Sequence, residues 1–108
     1  MKLVQISFPF EFTEEIERIL AHSEITDYLR VGMIAGHDST GKHTGSQVHP
    51  GNLTLISAQV GDDELDGLLD DLEEFRAARR THRSLSAVVV PVERRIGEES
   101  ANQSDEPS

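Results

Sequence analysis

The chain has 108 residues, 36% of them hydrophobic, with no Trp, no Cys and a formal net charge of −10. That length supports one domain with a modest core, and so thin an apolar supply makes burial by self-association the expectation. Four uncompensated acids, Glu98, Glu99, Asp105 and Glu106, leave about −6 on residues 1–96, a field that repels a phosphate polymer and argues against nucleic acid as a partner. The lack of Cys excludes a disulfide framework, a thiolate metal site and a Cys nucleophile, and fits a reducing compartment, so the cytoplasm is the expected location. The opening KLVQISFPF is not a charged segment followed by a long apolar stretch, and no run of 18 apolar residues occurs. Neither a standard export signal nor membrane insertion is expected.

Residues 2–8 alternate, with Val4, Ile6 and Phe8 on one face, as in a half-buried strand. After Pro9, Thr13 can N-cap a helix with Glu14 and Glu15 in its first turn. Phe12, Ile16, Ile19 and Leu20 follow at helical spacing, and the helix should end near Ser23. A second strand is expected over 27–34, where Leu29, Val31 and Met33 share a face and Gly32 can mark a bulge. LTLISAQV, residues 53–60, reads as a third strand. Asp62 and Asp63 then open a helix whose Leu65, Leu68, Leu69, Leu72 and Phe75 trace one stripe, and whose end, Arg76–Arg80, carries three arginines against the negative end of its dipole. Residues 86–92 form the last strand. Ala87, Val88, Val89 and Val90 do not alternate, which implies burial on both faces, one of them by a partner subunit. The closing residues, 97–108, have no large apolar side chain and should form a disordered acidic tail. The order β-α-β-β-α-β predicts an α+β, ferredoxin-like domain over 1–96, with an antiparallel sheet backed by two helices.

Between the second and third strands lies AGHDSTGKHTGSQVHPGN, residues 35–52, far longer than a hairpin needs. Its Gly36, Gly41, Gly45 and Gly51 permit positive φ and close backbone approach to a ligand, while Ser, Thr, Lys and His supply donors. A functional loop and a flexible solvated loop both fit this composition. His37, His43 and His49 recur every six residues, a spacing that matches no standard zinc motif, and metal binding there stays open. A second cluster, RAARRTHRS, brings Arg79, Arg80, Thr81, His82, Arg83 and Ser84 to a helix-to-strand junction. It suits an anion, with charge compensation at the helix end as the alternative. Arg94 and Arg95 form another basic pair, able to complete the same site across a subunit boundary. No nucleophile elbow, phosphate-binding GxxxxGK[ST] loop or HExxH is present, so no general acid or base is assigned and the chain reads as a non-enzyme.

On these pieces the chain resembles the PII-like (P-II-like) signalling superfamily. The resemblance covers residues 1–96 and is carried by the order of elements, the long 35–52 segment at the T-loop position, the AAR of Ala77–Arg79, and VVVPVE at Val88–Glu93. It implies a homotrimer with an adenine nucleotide (AMP, ADP or ATP) as regulatory ligand between subunits, and no catalytic cofactor. Its nucleotide-binding residues would be Gly36, His37, Arg79, Arg80, Thr81, His82, Arg83, Ser84, Arg94 and Arg95. Arg80–Ser84 fall where the family's B-loop grips phosphates. Lys42, His43, Gly45, His49, Gly51 and Asn52 would belong to the loop that switches a partner, often a membrane transporter. The chain departs from the family's best-known members in lacking a TGKxGDGK-type B-loop, replaced by RTHRS, and the tyrosine-bearing uridylylation segment. The loop ending HPGN is similar to divergent PII-like regulators associated with bicarbonate transport and carboxysomes, which leaves bicarbonate open as a second ligand. The rival resemblance is to metal-binding CutA-like trimers, with the loop histidines as ligands.

Overall fold

In chain order the elements are β1 (Lys2–Pro9), α1 (Thr13–His22), β2 (Tyr28–Ile34), β3 (Gly36–Asp38), β4 (Gly41–His43), β5 (Leu53–Val60), α2 (Asp62–Ala78) and β6 (Ser86–Pro91). Short 3₁₀ turns lie at Phe10–Phe12 and Arg80–Ser84. The computed structural model describes residues 1–34, 36–38, 41–43 and 53–97. Alternation along β1 buries Val4, Ile6 and Phe8 completely, and β5 answers with Thr54, Ile56, Ala58 and Val60. The four long strands form one sheet in the order β2-β5-β1-β6, every neighbour antiparallel. This is the ferredoxin-like arrangement expected from the element order.

Both helices lie on one face of that sheet. Ile16 and Leu20 of α1 and Leu68 and Leu72 of α2 are buried there, with Ile19, Leu65 and Phe75 packed at the margin. At the start of α1 the structure differs from the sequence reading. Thr13 is not the N-cap but the first helical residue, and its hydroxyl donates to the Phe10 carbonyl at 2.6 Å, because the Phe10–Phe12 turn feeds directly into the helix. The helix closes as a Schellman motif, with Ile25 N–H bonding the Leu20 carbonyl and Glu24 N–H the Ala21 carbonyl, both at 2.9 Å. Glu24 occupies the left-handed position, φ 61°, where glycine is favoured. At the start of α2, Glu64 Oε1 accepts the N–H of Gly61 at 3.4 Å, half of a capping box.

Two further differences and one expectation that is met bear on the site. Helix α2 ends at Ala78, so Arg79 and Arg80 lie beyond it and only Arg76 sits in its last turn. The 35–52 connection contains a small hairpin, in which Gly36 pairs with His43, His37 with Lys42 and Asp38 with Gly41. The register of β2 on β5 shifts between Val31 and Ile34, around Gly32, as a bulge there requires.

The other face of the sheet is covered by no described element. Leu29, Val31, Val88 and Val90 are 73%, 49%, 56% and 40% exposed on it. Their cross-strand neighbours Leu55 and Leu3 share the face. Burial of β6 on both sides is thus not achieved by the described residues. Val89 packs on the core, while Val88 and Val90 stand open.

At the outer edge, Arg30 Nη1 pairs with Glu17 Oε2 of α1 at 3.0 Å. Burial raises the Tyr28 phenol above its ordinary value, as do the charge and hydrogen bond of Glu17, against the opposing effect of Arg30.

These local environments can be checked directly. Exposed Gly67 lies inside α2 with nothing within 4 Å of an added Cβ, so Gly67→Ala should stabilise, as should Glu24→Gly at the left-handed position, each by about 0.5–1 kcal/mol in urea unfolding. Tyr28, the chain's one tyrosine, can be titrated by phenolate absorbance. A raised folded-state pKa means that its contribution to stability is full below about pH 10 and is lost as pH rises through the folded value. Glu17→Gln should shift that titration down, toward the ordinary phenol.

Candidate functional site

The strand register decides which sequence candidates can meet. Pro9 pairs with Leu53, Ile34 with Leu53, and Ser7 with Ser86. β1 and β2 therefore finish, and β5 and β6 begin, at the same end of the sheet. Both the 35–52 connection and the Arg80–Ser84 turn attach there. β6 runs away from that end, pairing Pro91 with Lys2, and Val92 N–H reaches the Met1 carbonyl at 3.3 Å. Arg94 and Arg95 are therefore carried to the opposite end, so one chain does not unite them with Arg79–Ser84.

The turn itself divides into inward and outward residues. Arg79 has extended backbone, φ −145° and ψ 152°, and breaks the helix. Arg80–Ser84 then form the 3₁₀ turn, held by His82 N–H to the Arg79 carbonyl and Leu85 N–H to the His82 carbonyl, both at 3.1 Å. His82 and Leu85 point inward, 8% and 2% exposed, while Arg79, Arg80, Thr81, Arg83 and Ser84 are all exposed. Three guanidinium groups and two hydroxyls are thus displayed on one short turn.

His82, unlike its neighbours in the turn, is mostly buried, and its Nδ1 is engaged within the chain. Its ring stacks on Phe75, with centroids 3.9 Å apart and planes within 3°, and meets Phe12 edge-on at 4.7 Å. Its Nδ1 lies 2.7 Å from the Phe75 carbonyl, and since a carbonyl oxygen only accepts, Nδ1 carries the proton. Phe75 contributes one of the last four carbonyls of α2, which lack partners within the helix, so His82 acts as a side-chain cap. Arg76 makes a second pin, its Nε donating to the Leu85 carbonyl at 2.8 Å.

Ion pairing separates the turn from the rest of the surface. Among the described residues, pairs within 4.0 Å join Met1 to Asp62, His22 to Asp71 and Arg30 to Glu17, and none engages Arg79, Arg80 or Arg83. On a chain with 20 acids, these three cations have no acidic partner within 4.0 Å among the described residues. Beside the turn, between α2 and β6, a cleft of about 420 Å³ is lined by Leu69, Leu72, Arg76, Leu85, Ser86 and Val89, among others. It has the size of a small-molecule pocket. A slightly larger groove between α1 and α2, floored by Ile19, Phe75 and Ala78, lies on the outer helical layer.

Of the loop candidates, Gly36, His37, Lys42 and His43 belong to the β3–β4 hairpin, where the two histidines are not cross-strand partners. Gly45, His49, Gly51 and Asn52 lie outside the described residues, as does the tail from residue 98. Among the described residues no three His, Asp or Glu side chains converge as a metal site. Sequence reasoning missed the supporting set, Phe12, Phe75, Arg76 and Leu85. The one available signal was the pairing of Phe75 with His82 seven residues on, beyond reach of a helix that stops at Ala78.

Comparison of the whole chain with known folds settles the architecture. The PII-like nitrogen regulatory protein CPII from Thiomonas intermedia K12, solved with ADP, AMP and bicarbonate, superposes with a TM-score of 0.69 at 23% identity, over 82% of each chain. The chain has the PII-like fold. The apo form of CPII matches at TM-score 0.64 and 20% identity, over 82% of this chain and 85% of that one. A PII-like signalling protein of Thermus thermophilus matches at TM-score 0.57 and 12% identity, over 82% and 81%. No protein-family profile matches the sequence, and no curated protein does. On this PII-like scaffold the basic turn forms the connection from the second helix to the last strand of the sheet, and the hairpin-bearing segment connects its two neighbouring strands.

Proposed function

We propose that this chain is a non-enzymatic PII-like regulator that binds an adenine nucleotide between subunits and uses residues 35–52 to switch a partner. The observation that carries the reading is the pinned turn, whose Arg79, Arg80 and Arg83 have no acidic partner among the described residues and stand with Thr81 and Ser84 at the end of the sheet from which the long connection springs. Guanidinium forks and hydroxyls match phosphate oxygens in charge and geometry. Structural neighbours solved with ADP, AMP and bicarbonate support that choice of ligand, and bicarbonate is the second ligand to test.

The uncovered sheet face supports assembly. Leu29, Val31, Val88 and Val90 would be buried by other copies of the chain, and a homotrimer is the form proposed. Assembly would also bring Arg94 and Arg95 of one copy toward the Arg79–Ser84 turn of the next, which a single chain cannot do. Gly36 and His37, at the root of the connection, would sense the occupied cleft, while Lys42, His43, Gly45, His49, Gly51 and Asn52 would meet the partner. The nucleotide must bind the two loop arrangements with different affinity, since equal binding transmits nothing. A cytoplasmic regulator of a membrane transporter, such as one for bicarbonate, is the role proposed.

Calorimetry with AMP, ADP and ATP tests the ligand. At least one should bind, and replacing Arg80 and Arg83 together by Ala should weaken it at least about tenfold, two charge-assisted contacts being lost, while the melting temperature stays the same. Absence of heat with all three at millimolar concentration would sink the nucleotide reading. Sedimentation tests assembly, since Leu29→Glu with Val88→Glu should convert an oligomer into folded monomer.

A further inference from the structure

We infer that His82 is the positioning residue of this site, touching no ligand itself and holding Arg80 and Arg83 in the arrangement that grips phosphate. The inference rests on the reading of residues 79–84 as a phosphate grip. Five residues of 3₁₀ turn have little stability of their own, because their hydrogen bonds are poorly aligned. Here the turn also gathers three arginines that repel one another. Beside the bonds within the turn, its two ends are tied by 3.1 Å bonds from His82 N–H to the Arg79 carbonyl and from Leu85 N–H to the His82 carbonyl, and side-chain contacts from outside the turn add to them.

Two side-chain bonds do this, at different points of the turn. Arg76 to the Leu85 carbonyl is made by an exposed residue at the exit of the turn. His82 Nδ1–H to the Phe75 carbonyl is made at its middle, by a ring enclosed between Phe75 and Phe12 and 8% exposed. A hydrogen bond shielded from water is electrostatically stronger than one at the surface. The geometry also directs its effect. Arg80 leaves the backbone two residues before His82 and Arg83 one residue after, so a shift of the backbone at His82 would move the points from which both side chains extend. A phenyl ring at position 82 would fill the aromatic slot but leave the Phe75 carbonyl without its donor.

The test is ADP affinity by calorimetry for the full chain and three variants, at a temperature where circular dichroism shows each folded. His82→Phe keeps a ring and lacks the donor; His82→Asn keeps an N–H near the position of Nδ1. Leu20→Ala, in the buried face of α1 away from the turn, controls for lost stability. His82→Phe should weaken ADP about tenfold, the scale of one shielded hydrogen bond, and His82→Asn should recover part of that loss. Leu20→Ala should bind as wild type. Equal affinity in His82→Phe overturns the inference alone, as does an equal loss in Leu20→Ala. Absence of ADP binding by wild type overturns the nucleotide reading and this inference with it. Wild-type nuclear magnetic resonance gives a measurement independent of any variant. ADP should move the Arg80 and Arg83 side-chain resonances and leave the His82 imidazole nitrogens nearly unshifted, with Nδ1 protonated, whereas imidazole shifts as large as those of the guanidinium groups would mean direct contact and overturn it.

Discussion

Two helices can bury one face of a four-stranded sheet and no more, and much of this molecule follows from that restriction. The row Val4, Ile6 and Phe8 on β1 receives Ile16 and Leu20 from one helix and Leu68 and Leu72 from the other. With both helices committed to that side, Leu29, Val31, Val88 and Val90 have nothing among the described residues to cover them. The same layering delivers the functional pieces. Antiparallel pairing around β1 fixes which strands start and finish at each end, so the basic turn and the hairpin-bearing connection attach at one end by topology.

The fold was legible because its strands and helices rely on periodicity. β5 was readable to the residue, and the leucine stripe of α2 marked its buried side before any packing was known. The ends were less legible, because they depend on bonds across chain distance. Thr13 has the side chain of a cap, yet the Phe10–Phe12 turn runs straight into the helix; Arg79 and Arg80 continue a helical run in sequence, yet extended backbone at Arg79 removes them from it. Nothing in RTHRS distinguishes a histidine that faces phosphate from one that faces Phe75. Nor could composition reveal that Arg94 and Arg95 travel to the far end of the sheet, since that follows from the direction of β6. The short pairing of residues 36–38 with 41–43 carried no alternation to announce it.

Charge is as unevenly placed as apolar surface. Acids crowd both helices, from Glu14, Glu15 and Glu17 on α1 to Asp70, Asp71, Glu73 and Glu74 on α2. Arg30 is paired with Glu17, whereas Arg79, Arg80 and Arg83 have no acidic partner among the described residues, although they follow directly on the most acidic helix. If the turn is the proposed phosphate grip, the acids of both helices would repel an anion from their faces and its arginines would offset that repulsion locally.

The division of that turn into two inward and five outward residues has an implication for how such a site changes over time. His82 and Leu85 carry the structure of the segment; Arg79, Arg80, Thr81, Arg83 and Ser84 carry its chemistry. Exposed side chains away from caps and core are replaced at little cost in stability. If these five residues are the proposed recognition set, they can drift toward a different anion while the scaffold beneath them stays intact, the turn behaving as an exchangeable head on a fixed mount.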